Sequence, residues 1–292
     1  MARRLMVLNA GEGTVSRLDA DSGRELLRRD LDRAVPGRGR YLSPYLAAGD
    51  GERLYIICRA DDLLICVSPD GGTVHYVQAV PAGPSSVAVG DGCVYVSCAD
   101  ADAILQFEAA TGRYLRMVRT LPYPVRLWMD GALYCACVNG KCVTAYAPDL
   151  TALDTLALAG MPMDLIADHG RLYIAQMAIG RGGAGLIDQV RTDLTPPKRI
   201  RLDLPPGRIC ALRDGLAVSE NGGTELRFLN LALECTAALT LSATAEEMCF
   251  DGEKERLYVS LGAENEIAVI EKRQTVGRWP VGLSPAGMLL TD

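Results

Sequence analysis

A short repeated pattern constrains the fold of this chain more than any other feature. Each copy is a turn containing Asp-Gly or a related pair, followed by an apolar segment centred on Tyr, as in DGCVYVSC at Asp91 and DGALYCACVNG at Asp130. The central positions are 39 to 49 residues apart, and they are Met6, Tyr55, Tyr95, Tyr134, Tyr173, Ala217 and Tyr258. A period of roughly 40 to 45 residues with several short strands is typical of a β-propeller blade.

The repeat that begins at Pro84 shows how one blade divides into strands. It predicts strands at Ser85 to Val89, Cys93 to Cys98, Ala103 to Glu108 and Tyr114 to Leu121. Asp-Gly and Thr-Gly pairs lie at the joints and supply the positive-φ residues that hairpin turns need. The apolar runs are nearly continuous, which favours strands covered on both faces. No segment has clear helical periodicity.

The repeats are out of phase with the ends of the sequence. The chain begins in a second strand, Leu5 to Asn9, and ends in a first strand, Ala286 to Thr291. Pairing these two segments would complete one blade and remove the open edges that promote aggregation. We therefore predict an all-β, seven-bladed β-propeller with four antiparallel strands per blade, in a single domain over residues 1–292.

The strands LYIIC, VYVSC, LYIAQ and LYVSL, each after an Asp-Gly-type turn and a Pro-x-x-apolar strand, resemble those of YVTN-repeat propellers. These are also called YncE-like or lactonase-like seven-bladed propellers, and the resemblance covers the whole chain. It implies the fold, and it leaves function open because binding modules, lyases and lactonases share that fold. The family's Asn after Tyr-Val-Thr is kept here only as Asn9. The other copies hold Cys58, Cys98, Cys137, Gln176, Glu220 and Leu261.

Composition excludes several classes of function. The net charge of −6, with both signs mixed along the chain, argues against a general nucleic-acid binder. No apolar run approaches the roughly 18 residues of a membrane span. The segment MARRLMVLN lacks an apolar stretch of signal-peptide length, so a cytoplasmic protein is expected, with its ten cysteines as reduced thiols. Nothing in the sequence indicates the oligomeric state.

The starts of the innermost strands predict a charged mouth on the top face, which carries the loops between second and third strands and between blades. Two residues after the first-strand prolines, or at the corresponding positions, lie Arg126, Asp164, Arg208 and Glu247. The ends of second strands add Asn9, Gln176 and Glu220. We expect a non-catalytic binding or scaffolding protein whose mouth recognises a protein segment or a small anionic molecule.

Arg126 and Arg208 are the expected anion ligands, because a guanidinium fork matches a carboxylate or phosphate. Basic return loops over the same face, with Arg38, Arg40, Lys198 and Arg199, would raise the local anion concentration. The alternative is that the charges of the mouth pair with one another and need no ligand. The Gly-rich segment Met177 to Gly185 is expected to be a top-face flap or an insertion.

Two other functions remain open at this point. A lactonase-like or lyase-like enzyme would use the acids of the mouth, with a divalent cation held by Glu220, Asn9 and Asp164; no cofactor is otherwise predicted. His75 and His169 are expected to lie away from the mouth, which disfavours histidine-dependent lyases.

A thiol-based metal or redox sensor would use Cys58, Cys98, Cys137 and Cys142. The first three occupy equivalent positions in consecutive blades, where Cys is also common as a small packing residue. Cys137 is predicted to face Cys142 across a turn at Asn139-Gly140, either as two reduced thiols or as a bridge. This pair is expected to be the only one close enough to form a disulfide.

Overall fold

The computed structural model describes residues 3–34, 42–179, 184–195 and 198–291, and β-strands dominate it. The strands are, in chain order, β1 (Arg4–Asn9), β2 (Thr14–Asp19), β3 (Glu25–Asp30), β4 (Pro44–Gly49), β5 (Leu54–Cys58), β6 (Leu63–Val67), β7 (Val74–Ala79), β8 (Pro84–Gly90), β9 (Cys93–Cys98), β10 (Ala103–Glu108), β11 (Tyr114–Arg119), β12 (Pro124–Asp130), β13 (Ala132–Cys137), β14 (Cys142–Tyr146), β15 (Ala152–Ala157), β16 (Gly160–Asp168), β17 (Arg171–Ala178), β18 (Gly185–Arg191), β19 (Lys198–Leu202), β20 (Pro206–Leu212), β21 (Gly215–Glu220), β22 (Glu225–Asn230), β23 (Cys235–Thr240), β24 (Ala245–Asp251), β25 (Arg256–Leu261), β26 (Glu266–Glu271), β27 (Gln274–Pro280) and β28 (Pro285–Thr291). Within the described ranges, the helical content is one 3-10 turn, Asp32–Ala34, and no helix is long and apolar enough to cross a membrane.

The strands form seven antiparallel sheets of four strands each, which confirms the predicted seven-bladed propeller. Blade 1 contains β28, β1, β2 and β3 from the centre outward, and blades 2 to 7 each take the next four strands of the chain. The innermost strands β4, β8, β12, β16, β20, β24 and β28 contact one another in a closed ring.

Ring closure follows the predicted pairing of the two ends of the chain. β28 is antiparallel to β1, with Arg4 opposite Thr291 and Leu5 opposite Leu290. β28 also contacts the innermost strands of both neighbouring blades. The first and the last described strands therefore share blade 1, and each covers the sheet edge that the other would leave exposed.

The local sequence explains the turns and the layering of a blade. Asp91 and Gly92 join β8 to β9 and both have positive φ, as a two-residue hairpin turn requires. β5 and β6 are buried along their whole length, whereas the outermost strand β15 is almost entirely exposed. Apolar side chains pack between adjacent blades: Tyr55 and Leu64 of blade 2, for example, share one cluster with Val96 of blade 3.

The repeated tyrosine ties several blades to the next. In three blades its hydroxyl donates a hydrogen bond to a backbone carbonyl in the outer turn of the following blade. These bonds run from Tyr95 to Pro148 at 2.8 Å, Tyr134 to Thr192 at 2.9 Å and Tyr258 to Ala20 at 2.7 Å, whereas the Tyr55 hydroxyl donates to the Asp50 carboxylate at 2.6 Å. The tyrosine thus fills the gap between blades with its ring and satisfies a turn carbonyl with its hydroxyl.

A β-bulge recurs near the start of the innermost strands. In blade 4 the register shifts between Pro124, which faces Cys137, and Arg126, which faces Ala136. In blade 5 it shifts between Pro162 and Asp164, and the other five innermost strands have a corresponding irregularity. A bulge re-aims the side chain it carries. This is why the residues counted from each proline form one ring around the central axis.

The prediction that Lys198 and Arg199 lie in a basic loop over the top face is wrong. Lys198–Leu202 forms β19, the outermost strand of blade 5, because Leu202 packs into the blade and Ile200 against it, while Arg199 pairs with Asp188. Lys198 donates to the carbonyl of Ala232. Arg38 and Arg40, and residues 180–183 of the Gly-rich segment, lie outside the described residues.

Candidate functional site

A cavity of about 380 Å³, here called the mouth, opens at the top of the central axis. Loops between second and third strands and loops between blades line it together, as expected for the top face. Its polar lining includes Tyr45, Arg59, Tyr123, Arg208, Glu220 and Glu246. Its apolar lining includes Val125, Val138, Met163 and Met177.

The basic side of the mouth is organised around Tyr45. The Nη2 of Arg208 donates a hydrogen bond of 3.0 Å to the Tyr45 hydroxyl, and its Nε donates one of 3.0 Å to the backbone carbonyl of Glu246. The guanidinium carbon of Arg59 lies 5.7 Å from the centre of the Tyr45 ring. Arg59 also reaches the hydroxyl of Tyr123 at 3.5 Å. Two guanidinium groups therefore flank one aromatic ring at the opening.

Two carboxylates lie on the rim. Glu220 is partly exposed and accepts a 3.4 Å hydrogen bond from the backbone N–H of Glu225, so it folds over its own turn. Glu246 is exposed, and its side chain lies beside Gly262. Within the described ranges, no carboxylate lies within 4.0 Å of the guanidinium groups of Arg59 or Arg208, and neither glutamate pairs with a cation. The mouth thus holds charges of both signs that are not joined in ion pairs.

Directly below the mouth lies a buried charge network of Arg126, Asp164 and Glu247. Arg126 Nε is 2.8 Å from Asp164 Oδ1, and its Nη1 is 3.2 Å from Glu247 Oε2 across the axis. The exposed fractions of Arg126, Asp164 and Glu247 are 7%, 0% and 5%. Asp164 also accepts backbone N–H bonds of 2.9 Å from Leu165 and Ile209. The network joins blades 4, 5 and 7.

The protonation states of Glu247, Asp164 and Arg208 depend on two opposing effects, burial and the charges of their neighbours. Burial acts to raise the pKa of Glu247, but the guanidinium groups of Arg126 and Arg208 outweigh it and hold the pKa below its usual value. For Asp164, burial dominates and raises the pKa, against the opposing charge of Arg126. Burial also acts to lower the pKa of Arg208, yet the nearby Glu247 carboxylate and the Tyr45 hydroxyl raise it, so Arg208 is a cation at every physiological pH.

The structure brings Arg126, Asp164, Arg208 and Glu247 together, as counting from the prolines predicts. It places Asn9 and Gln176 elsewhere, which corrects their expected position in the mouth. Asn9 faces Pro285 across the strand pair, is fully buried and donates to the hydroxyls of Thr14 and Ser16 at 2.9 Å. Gln176 is likewise buried, and its Oε1 accepts the N–H of Gly160 at 3.0 Å.

A one-residue offset explains this correction. Successive side chains along a strand point to opposite faces, so in blades 2 and 5 the residue at the counted position lies inside the blade and the following residue faces the opening. In blade 6 the counted residue, Glu220, itself lines the mouth. Arg59 follows Cys58 and lines the mouth, while Cys58 is buried. Sequence reasoning therefore missed Arg59, and it missed Tyr45 and Glu246 because each precedes the counted position by one residue.

The candidate divalent-cation set is not assembled. Glu220 lies on the rim, Asp164 in the buried network and Asn9 inside blade 1. In the described part of the chain, no group of three or more His, Cys, Asp or Glu side chains is placed to hold a metal ion. His75 lies on the outermost strand β7, and His169 is exposed in a turn between β16 and β17, so both histidines are away from the mouth.

The candidate thiols are buried, Cys58 in blade 2, Cys98 in blade 3 and Cys137 with Cys142 in blade 4. Cys58, Cys98 and Cys137 belong to three different apolar clusters, and all ten cysteines are unbridged. Cys137 faces Cys142 as predicted, but the Sγ of Cys135 lies 3.8 Å from that of Cys137, so the expected pair is a group of three. Cys135 and Cys137 share a face because they are two residues apart on β13. Burial raises the pKa of Cys98 to about 12.

Comparison with known proteins supports the fold. The sequence model of a family described as the outer membrane protein assembly factor BamB matches residues 11–133. No curated protein matches the chain.

Solved structures resemble it over most of its length. A functionally unknown protein from Desulfotomaculum acetoxidans has a TM-score of 0.78 at 13% identity, covering 99% of this chain and 98% of that one. Apo AztD from Citrobacter koseri has a TM-score of 0.72 at 11% identity, covering 99% and 97%. A catalytically inactive virginiamycin B lyase from Staphylococcus aureus, solved with quinupristin, has a TM-score of 0.70 at 13% identity, covering 88% and 96%. At these identities, what the chain shares with them is the propeller fold.

Proposed function

We propose that this propeller is a binding protein whose mouth takes the anionic group of a small molecule, with Arg208 as the principal ligand of the anion and Arg59 as the second. The observation that carries the proposal is the state of Arg208. It lines the mouth, it stays charged, and its hydrogen-bond acceptors are a neutral hydroxyl and a neutral carbonyl. The Glu247 carboxylate below it is near enough to raise its pKa, but no described carboxylate lies within 4.0 Å of its guanidinium. A guanidinium without an ion-pair partner at a concave site favours an anionic ligand.

The size of the mouth supports a small molecule in preference to a protein segment. Small-molecule sites are typically clefts of ~300–1,000 Å³ with mainly apolar walls and a few placed polar groups. The mouth has about 380 Å³ and presents two valines and two methionines beside its polar groups. The net charge of −6 on the chain disfavours non-specific binding of anions, so a bound anion would depend on the guanidinium groups of the mouth.

The placement of Arg126 refines the role expected from the sequence. Its guanidinium faces both Asp164 and Glu247 and is buried, so it serves the fold in this proposal and leaves the anion to Arg208. An enzyme of the lyase kind is less well supported, since both histidines of the chain lie far from the mouth in the fold.

Isothermal titration calorimetry with a small carboxylate tests the proposal. The probe is 4-methylpentanoate, and its neutral amide, 4-methylpentanamide, is the chemical control. We expect binding of the carboxylate to weaken at least tenfold in Arg208→Met and to weaken with added salt. Arg201→Met is the matched control, because Arg201 is exposed on the outermost strand β19. Equal affinity for acid and amide, or unchanged affinity in Arg208→Met, would refute the proposal.

A further inference from the structure

The mouth has three chemically distinct sides. The basic side consists of Arg59 and Tyr45 of blade 2 and of Arg208 of blade 6, which donates a hydrogen bond to the Tyr45 hydroxyl. Glu220 and Glu246 form an acidic rim on blades 6 and 7. The apolar wall belongs to blades 4 and 5 and consists of Val125, Val138, Met163 and Met177. A ligand that fills this cavity meets both signs of charge and an apolar surface.

From this arrangement we infer that the ligand of the mouth is an α-amino acid with an aliphatic side chain, its carboxylate at Arg208, its ammonium at the acidic rim and its side chain on the apolar wall. The inference rests on the proposed anion site and narrows it to one class of ligand. It differs from a simple anion site in requiring the two glutamates.

Charge balance is the first argument. Among the described residues, the charged groups that line the mouth are Arg59, Arg208, Glu220 and Glu246, and their charges sum to zero. A ligand with a carboxylate alone would bring a third negative charge beside two glutamates, and like charges at close range are unfavourable. A zwitterion leaves the balance unchanged and gives each unpaired group of the mouth a partner.

The position of Arg208 is the second argument. Its Nε donates to the backbone carbonyl of Glu246, so the principal basic group lies beside the strand that carries one of the two rim glutamates, whose side chain extends toward Gly262. An α-amino acid carries both of its charges on one carbon, which matches this close placement. A ligand with its charges at the two ends of a long chain matches it less well.

The wall of the mouth is the third argument. Met163 and Met177 are partly buried, one near the start of an innermost strand and the other near the end of the adjacent second strand. Methionine side chains adapt to irregular apolar shapes. Each buried CH₂ of a ligand adds to its affinity through the hydrophobic effect. An aliphatic side chain of leucine size therefore adds affinity that glycine lacks.

Calorimetry with four probes tests the inference: L-leucine, 4-methylpentanoate, L-leucinamide and glycine. 4-Methylpentanoate is leucine without its ammonium, and leucinamide is leucine without its carboxylate. We expect L-leucine to bind at least tenfold more tightly than each of the other three. In the Glu220→Gln/Glu246→Gln double variant, the preference of leucine over 4-methylpentanoate should disappear, whereas Glu52→Gln, in an exposed turn between β4 and β5, should leave it intact.

The outcomes separate this inference from the proposed function. If leucine and 4-methylpentanoate bind equally and both weaken in Arg208→Met, the mouth is an anion site and the amino-acid inference is wrong. If glycine binds as tightly as leucine, the aliphatic part of the inference is wrong. If leucine binds more tightly than 4-methylpentanoate in the double variant as well as in the wild type, the rim glutamates do not hold the ammonium, and the inference also fails. If no carboxylate binds the wild-type protein, both proposals fail.

Discussion

The buried charge network and the mouth place two equivalent arginines in contrasting surroundings. Arg126 and Arg208 each follow the first proline of an innermost strand by two residues, in blades 4 and 6. Arg126 meets two carboxylates and is 7% exposed. Arg208 meets a hydroxyl and a backbone carbonyl and lines a cavity. The same position of the repeat therefore serves the fold in one blade and is offered to a ligand in another.

The difference teaches that partners decide the role of a charge more than its place in a repeat does. A buried arginine between two buried carboxylates offsets their negative charge and links three blades. An arginine whose hydrogen-bond acceptors are neutral, and which forms no ion pair with a described carboxylate, can still pair with an anionic ligand. Glu246 and Glu247 repeat the contrast within one strand, because Glu246 faces the mouth while Glu247 points into the network.

Removal of β28 should have the largest effect on stability, because the mouth and the buried charge network below it both depend on a closed ring. Deletion of residues 285–292 exposes the edge of β1 and takes away the strand that contacts β4 and β24. We expect the truncated protein to aggregate or to melt at a much lower temperature, as followed by circular dichroism and size-exclusion chromatography. A truncated chain as stable as the parent would show that closure does not hold the ring together.

Arg126→Met should have the next largest effect on stability. It removes the cation that forms ion pairs with both buried carboxylates, Asp164 and Glu247, and breaking a buried pair in this way costs about 3–5 kcal/mol. Urea denaturation should show a fall of this size in the free energy of unfolding.

Neutralising the acids provides the control for that variant. Arg126→Met/Asp164→Asn/Glu247→Gln removes all three charges and should recover part of the loss, because no buried charge remains unpaired. If the single variant is as stable as the parent, the network is not structural and the contrast with the mouth collapses.

Much of the fold was predictable because its signals are local. A period near 40 residues, Asp-Gly turns and the phase of the termini can all be read along the sequence without knowledge of the contacts between blades. The group of Arg126, Asp164, Arg208 and Glu247 was predictable for the same reason, since the bulge after the first proline recurs around the ring.

The remainder depends on contacts between blades, which the sequence of one repeat does not contain. The Tyr95 hydroxyl bonds to the carbonyl of Pro148 in the next blade. Arg208 reaches Tyr45, which is 163 residues away in the chain. The place of Arg59 in the mouth, and of Asn9 inside a blade, depended on a one-residue difference in strand register that the apolar pattern does not resolve.

Arg208→Met should change stability much less than Arg126→Met. It removes two hydrogen bonds to neutral acceptors, each worth roughly 0.5–1.5 kcal/mol, and leaves no carboxylate newly unpaired within ion-pair distance. We expect the free energy of unfolding to fall by about 2 kcal/mol, the sum for two such bonds, in the same urea experiment. A loss equal to that of Arg126→Met would mean that both arginines are structural, and the proposed anion site would lose its basis.

The smallest effect concerns the thiols and tests whether the layer below the mouth excludes water. Cys249 lies two residues after Glu247 on β24, and burial raises its pKa to about 12. Thiolates are the reactive form of cysteine, so the alkylation rate of Cys249 should rise about tenfold per pH unit between pH 7 and 9. Cys235 is exposed on the outermost strand β23 and should react first.

Mass spectrometry of the native protein treated with iodoacetamide measures both rates, and denaturation without reductant gives the total, for which we expect at least eight of the ten thiols to be free. At pH 8 we expect Cys235 to react at least a hundredfold faster than Cys249, because a thiol with a pKa near 12 is almost wholly protonated there. Equal rates would mean that the partly buried Cys249 thiol is not desolvated as its raised pKa requires, and that the innermost strand β24 is open to water two residues beyond Glu247.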